Sequence, residues 1–219
     1  MAIVRTTKAP NLVISDREYN NSNEDQFRNQ LRLYFNQVDT LSQNLLNANG
    51  GANLSFPHIA ASHNDDQYAT GDNTPTKVLW DTLEAGSGFT LNANSTATAQ
   101  FSGTYKIDFA LQLANTDNDL HDTRIWLEVD DVAVPRSTMD FTLQARKSAG
   151  VPFLKLAYSS ITFSIQAGQS FALYWATEKA FETGVAEGVY LWYEAATTSP
   201  YVSPATPSAT GSIVYVSRD

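Results

Sequence analysis

Between residues 27 and 45, apolar side chains fall at Phe27, Leu31, Tyr34, Val38, Leu41 and Leu45, at spacings of four, three, four, three and four. This rhythm keeps one seam of a helix facing a partner and predicts a short coiled coil. Ser22 suits the N-cap, Glu24 and Asp25 fall in the first turn where the helix dipole favours acids, and Asn47 to Gly51 brings the glycines that end the helix. A lone helix of this length is marginal in water. No second long amphipathic helix follows, so the predicted partner is another copy of the chain. With Phe27, Tyr34 and Leu41 at d and Leu31, Val38 and Leu45 at a, only Val38 is β-branched at a and two d positions are aromatic. That is not the two-stranded preference, and three strands house the aromatics more easily. The flanking positions are mostly uncharged, and Phe35 widens the apolar stripe.

After Gly51 the period changes. Tyr105, Ile107, Phe109, Leu111 and Leu113 alternate with Lys106, Asp108, Ala110 and Gln112, which predicts a strand with one core face and one wetter face. Further strands are predicted at 77–80, 89–91, 97–101, 123–129, 138–144, 153–158, 161–165, 171–176, 189–193 and 212–216, divided by turn clusters. Many short strands without intervening helices mean a β-sandwich or barrel. The Pro-, Ser- and Thr-rich stretch 197–208 reads as a surface loop before the last strand. The expected organisation is an extended arm over 1–21, a neck helix with its glycine linker over 22–51, and a β-rich head over 52–219.

Charge sharpens this division. Of the net charge of −9, residues 1–50 contribute nothing, with five basic residues balanced by five acidic ones, and the head carries the whole excess. Nucleic-acid binding by the head would need the opposite sign. Before Asp16 there is no acid, only Arg5 and Lys8. The stretch reads either as an ordinary frayed terminus or, with Leu12, Val13, Ile14 and Tyr19, as an extended peptide laid along another structure. The 219 residues include no cysteine, which removes disulfides and thiolate chemistry. Met1 to Asn11 lacks the apolar run of a signal peptide, and no stretch approaches the roughly 20 apolar residues of a membrane span. No membrane partner is expected.

At FSGTYKIDFALQL (101–113) the chain resembles the central strand signature of C1q and tumour-necrosis-factor-like jelly rolls. RIWLEVDDVAVPRS (124–137), AGQSFALYWAT (167–177) and GSIVYVS (211–217) resemble later elements of that fold, in the same order. The basic leader, Arg17 to Tyr19, RNQLRLYFNQVDTL (28–41) and the glycine pair resemble virion proteins of tailed bacteriophages. The resemblance implies a mainly β, C1q/TNF-like jelly-roll sandwich preceded by an extended arm and a short trimeric coiled-coil helix. It further implies a non-enzymatic homotrimer in the virion, fibre- or spike-like, whose partners are itself and other phage structural proteins of the tail, neck or capsid. A capsid decoration or cement protein, and a knob binding a receptor or host surface glycan, are the alternatives.

Candidate chemistry is sparse. His58, His63 and His121 lack metal-ligand spacing and read as polar loop residues. Asp65-Asp66, Asp117 with Asp119 and Asp122, and Asp130-Asp131 fall between predicted strands and read as solvated turns. Some C1q-like heads bind calcium, but no EF-hand pattern is present. There is no nucleophile elbow, P-loop or dinucleotide fingerprint, so neither catalysis nor a cofactor is expected. Trp126 sits out of phase with Ile125, Leu127 and Val129. It faces either a neighbouring subunit or a sugar on which it could stack.

Overall fold

The computed structural model describes residues 21–46 and 56–217, with helix side chains described as far as Ser42. The chain divides into two compact units, Met1–Ser55 and Phe56–Asp219. The predicted arm and the Asn47 to Gly51 helix stop lie outside the described residues.

Among the described residues of the first unit one helix, α1, spans Asn21–Leu46. It begins one residue before the predicted cap, which places Ser22 inside the first turn. Glu24 accepts a hydrogen bond from Arg28 Nε at 3.1 Å, one turn apart, next to the helix N-terminus that favours its charge.

The second unit is built from fourteen strands: β1 (His58–His63), β2 (Gln67–Tyr68), β3 (Thr76–Lys77), β4 (Thr82–Ser87), β5 (Phe89–Leu91), β6 (Ala97–Ala99), β7 (Gly103–Asn115), β8 (His121–Val129), β9 (Val132–Ala133), β10 (Met139–Leu143), β11 (Phe153–Ile165), β12 (Ser170–Thr177), β13 (Val189–Leu191) and β14 (Ala209–Ser217). The first sheet runs β11, β7, β14, β1, β4, with β13 and β2 continuing beside the far end of β7. The second runs β10, β8, β12, β6, β5, with β9 beside β8 and β3 beside β12. From β6 onward the chain crosses between the sheets repeatedly, and every named pairing is antiparallel. This strand order is a jelly-roll β-sandwich, two Greek keys folded into one core.

The core follows from alternation. Tyr105, Ile107, Phe109, Leu111 and Leu113 point inward from β7 and meet Ile125 and Leu127 of β8 and Phe171, Leu173 and Trp175 of β12. Tyr105 keeps its polar end satisfied by donating from its hydroxyl to Phe101 O at 2.9 Å. Residues 153–165 form one strand, not the two predicted, because all thirteen pair in unbroken register with β7. The three histidines are strand residues, contrary to the loop reading: His58 and His63 bound β1 and His121 opens β8. His63 is buried, with Nδ1 3.2 Å from Asp81 Oδ2. β1, β2 and β4 lie outside the predicted strands. β1 reads HIAASH, in which Ile59 is the one large apolar residue, too little bulk to mark a period.

Gly188 leads into β13 at φ +126, and a Cβ there would meet Ala180 O at 2.4 Å. Gly188→Ala therefore combines a backbone conformation costing about 1–3 kcal/mol with a clash against backbone. Gly150, also at positive φ but facing open space, provides the control. In urea unfolding, Gly188→Ala is expected to lose at least about 2 kcal/mol, and Gly150→Ala clearly less.

Candidate functional site

Three surfaces carry the functional candidates. On α1, Phe27, Leu31, Tyr34, Val38 and Leu41 share one half-buried face, whereas Leu33 and Phe35 are about 60% exposed. Leu45 lies within the helix, beyond the described side chains. Beside the seam, Gln30 Oε1 is shielded from solvent and accepts no hydrogen bond among the described residues. The anchor candidates Arg5, Lys8, Leu12, Val13, Ile14 and Tyr19 lie outside the described residues.

The outer face of the first sheet is apolar at one end. Along β11 the outward residues Leu154, Leu156 and Tyr158 are 37%, 54% and 62% exposed. Register places Leu154 beside Ala114 of β7, Ala114 beside Tyr190 of β13, and Tyr190 beside Tyr68 of β2. Tyr68 stacks on Tyr190 with ring centroids 5.5 Å apart and lies against Phe181. Burial, helped by Asp66 and Tyr68, pushes the Tyr190 phenol up to about 12. Further along the same face the pattern turns polar, with Lys106 Nζ 2.9 Å from Asp108 Oδ1.

On the outer face of the second sheet, Lys77, Tyr174 and Trp126 are cross-strand neighbours in one row. Trp126 stacks on Tyr174 at a centroid distance of 6.0 Å and 19° between planes, and donates from Nε1 to Glu128 at 2.8 Å. Lys77 Nζ lies 5.7 Å from the Tyr174 ring centroid, a cation–π contact. Beside this row runs a groove of about 660 Å³, bounded by the β5–β6 turn (Asn92, Asn94, Thr96) and by Glu128, Asp130 and Asp131. Tyr174 itself titrates above its ordinary value, through burial first and then through Glu128 and Asp131. Trp126 thus faces outward, as its phase predicted, and its ring partner within the chain is Tyr174. Tyr174 is equally out of phase in FALYWAT, the one sequence signal that marks it.

The carboxylate clusters hold loops. Asp117 accepts from His121 Nε2 at 2.9 Å, Asn115 is fully buried and donates to Asp119 O and Gln144 O, and Arg146 bridges Asn118, Thr116 O and Glu187. Asp130 and Asp131 form the two-residue turn between β8 and β9, both at positive φ, the hairpin geometry that matches strand twist. Among the described residues no three His or carboxylate groups converge as a metal site.

No family model and no curated protein matches the sequence. Among solved structures, the Eiger TNF of S. frugiperda shares 11% identity over 76% of this chain and 96% of its own, with a TM-score of 0.46. The globular domain of the zebrafish complement 1qA protein shares 8% over 74% and 99%, with a TM-score of 0.42. The jelly-roll assignment itself stands on the strand order of the two sheets.

The hydrogen bond from His121 holds the Asp117 carboxyl below its ordinary 3.8, with burial opposing and the Asn118 backbone N–H assisting. A depressed folded-state value stabilises the fold above the unfolded value, and that contribution disappears as pH falls through the folded one. Asp117→Asn should therefore flatten the loss of stability that sets in below pH 3.8, measured as the unfolding midpoint against pH.

Proposed function

We propose that this chain is a non-enzymatic structural protein of a tailed-phage virion, assembled as a homotrimer. The helix gathers three chains through its seam, the heads pack through the outer face of the first sheet, and the N-terminal arm docks on the particle. The observation that carries the assembly is that apolar end of the first sheet, where Leu154, Leu156 and Tyr158 stand exposed beside the Tyr68–Tyr190 pair. Outward apolar rows of this kind mark contact surfaces, and the seam of α1 supplies a second self-complementary face on the same chain. The virion assignment is supported by the resemblance of the leader and of residues 28–41 to phage proteins. A fibre- or spike-like position is favoured over capsid cement because the second sheet keeps a polar groove on the face opposite the association surface.

The purified protein is expected to sediment at three times the 24.0 kDa chain mass. Leu31→Glu with Val38→Glu should loosen the neck, since burying an unpaired carboxylate costs on the order of several kcal/mol. Adding Leu154→Glu and Leu156→Glu should then leave folded monomers, because those positions are open in the single chain. A wild type that is monomeric at micromolar concentration overturns the assembly, as does a quadruple variant that remains a trimer.

The anchoring role is read from incorporation. Three arms on one trimer act multivalently, so modest contacts by each hold the assembly to the particle. Deleting residues 1–21 should leave a folded trimer absent from particles, and Arg5→Glu with Lys8→Glu should weaken incorporation in a salt-dependent way. Normal incorporation of the truncated protein would move the anchor elsewhere, the exposed Leu33 and Phe35 of the helix being the next candidates.

A further inference from the structure

The stretch after β13, whose Pro, Ser and Thr content reads as a plain loop, is a folded hairpin. Glu194 and Thr206 exchange both backbone hydrogen bonds, at 3.0 and 2.7 Å, and Thr197 and Ser203 exchange both at 3.1 and 3.0 Å. Thr197 Oγ1 also donates to Tyr201 O at 3.1 Å and pairs with Ser203 Oγ at 2.9 Å, which closes the tip, residues 198–202. The hairpin leaves the first sheet and returns to it on one rung: Trp192 N donates to Gln112 O, and Gln112 N donates to Ser208 O. Its tip carries Tyr201 and Val202, 69% and 83% exposed, the two most exposed large apolar side chains among the described residues. No charged residue lies between Glu194 and Arg218, in a chain whose net charge is −9.

We propose that this hairpin is an exchange arm, which seats Tyr201 and Val202 of one copy on Leu154, Leu156 and Tyr158 of the next copy in the trimer. The inference rests on the trimeric reading above and adds the element that covers its apolar face. Both halves of the contact stand open in the single chain, so the arm does not cover the row of its own head. Both are also uncharged. Register sets Ala114, Gln112 and Ala110 of β7 beside the row, and the first charge, Asp108, comes only beside Ser160. Contact removes apolar area from water without stripping a charge of its hydration. Symmetry selects a second copy as the occupant. A closed ring of three is built from heterologous contacts, in which each chain presents two different patches, one giving and one receiving. The row is one such patch, and the hairpin tip is an apolar patch of different shape on the same chain. The root of the arm agrees with this, because Gln112, the rung it springs from, is the register partner of Leu156. Backbone pairing folds the arm before it meets a partner, which lowers the ordering cost of docking.

The chain holds no cysteine, so introduced pairs report the contact without background. In the full chain, Val202→Cys is combined in turn with Leu154→Cys, Leu156→Cys and Tyr158→Cys, treated with oxidised glutathione and run on a denaturing gel without reductant. At least one pair is expected to give covalent dimers and trimers. Val202→Cys with Val132→Cys, an exposed site on β9 of the second sheet, should remain as single chains. Tyr201→Ser with Val202→Ser should raise the dissociation constant of the trimer at least tenfold in sedimentation, with circular dichroism unchanged. A trimer that forms no interchain disulfide in any of the three pairs overturns the arm and leaves the trimer standing. So does cross-linking as efficient in the Val132 control, or a serine variant that dissociates no more readily than the wild type. A disulfide within one chain overturns the arm by placing the tip on its own row, and a monomeric wild type overturns arm and trimer together.

Discussion

The inward face of β7 is the constraint on which the head depends. Five large side chains from Tyr105 to Leu113 are at most 2% exposed, and the strand is paired along both edges, by β11 on one side and by β14 and then β13 on the other. A slip of one residue would carry Lys106 and Asp108 into the core and turn the five apolar groups to solvent. That penalty fixes the register of three neighbouring strands together. The same register decides what the outside looks like, for it sets Leu154, Ala114, Tyr190 and Tyr68 side by side. Core burial and the apolar outer row are therefore two sides of one alignment.

Strong periods were legible in the chain and weak ones were not. The helix and β7 stand out because large apolar residues recur without interruption. Strand β11 reads as two pieces because Ser159 and Ser160 interrupt its pattern, yet β7 continues opposite them and supplies partners for both. In its first half Leu154, Leu156 and Tyr158 face out, while Lys155 faces the other way and donates to Thr142 O; in its second half Ile161, Phe163 and Ile165 face the core. The groove was far less legible, since its parts come from four separate stretches of chain. Only Tyr174, an aromatic residue at the wrong phase, points to it, and no local pattern reveals that Ala172 lies beside it.

The two outer faces of the sandwich are chemically unlike. One ends in stacked tyrosines and leucines with little hydrogen-bonding capacity to spare, and association through it removes apolar area from water. The other mixes one aromatic row with amides and carboxylates, which remain best satisfied by water or by a hydroxylated partner. These two characters stand on opposite sides of one thin domain.

The Asp130–Asp131 turn shows how the edge of the groove is kept still. Both residues sit at positive φ, which glycine or asparagine would adopt more readily, yet two aspartates occupy it. The first is tied by its carboxylate to the start of β12, so the hairpin cannot swing away from the strand beside it. Conformational freedom that a glycine turn would retain, and surrender only on contact, has already been given up when the domain folds. The entropy of ordering that wall is charged to folding, and the folded groove keeps a finished shape.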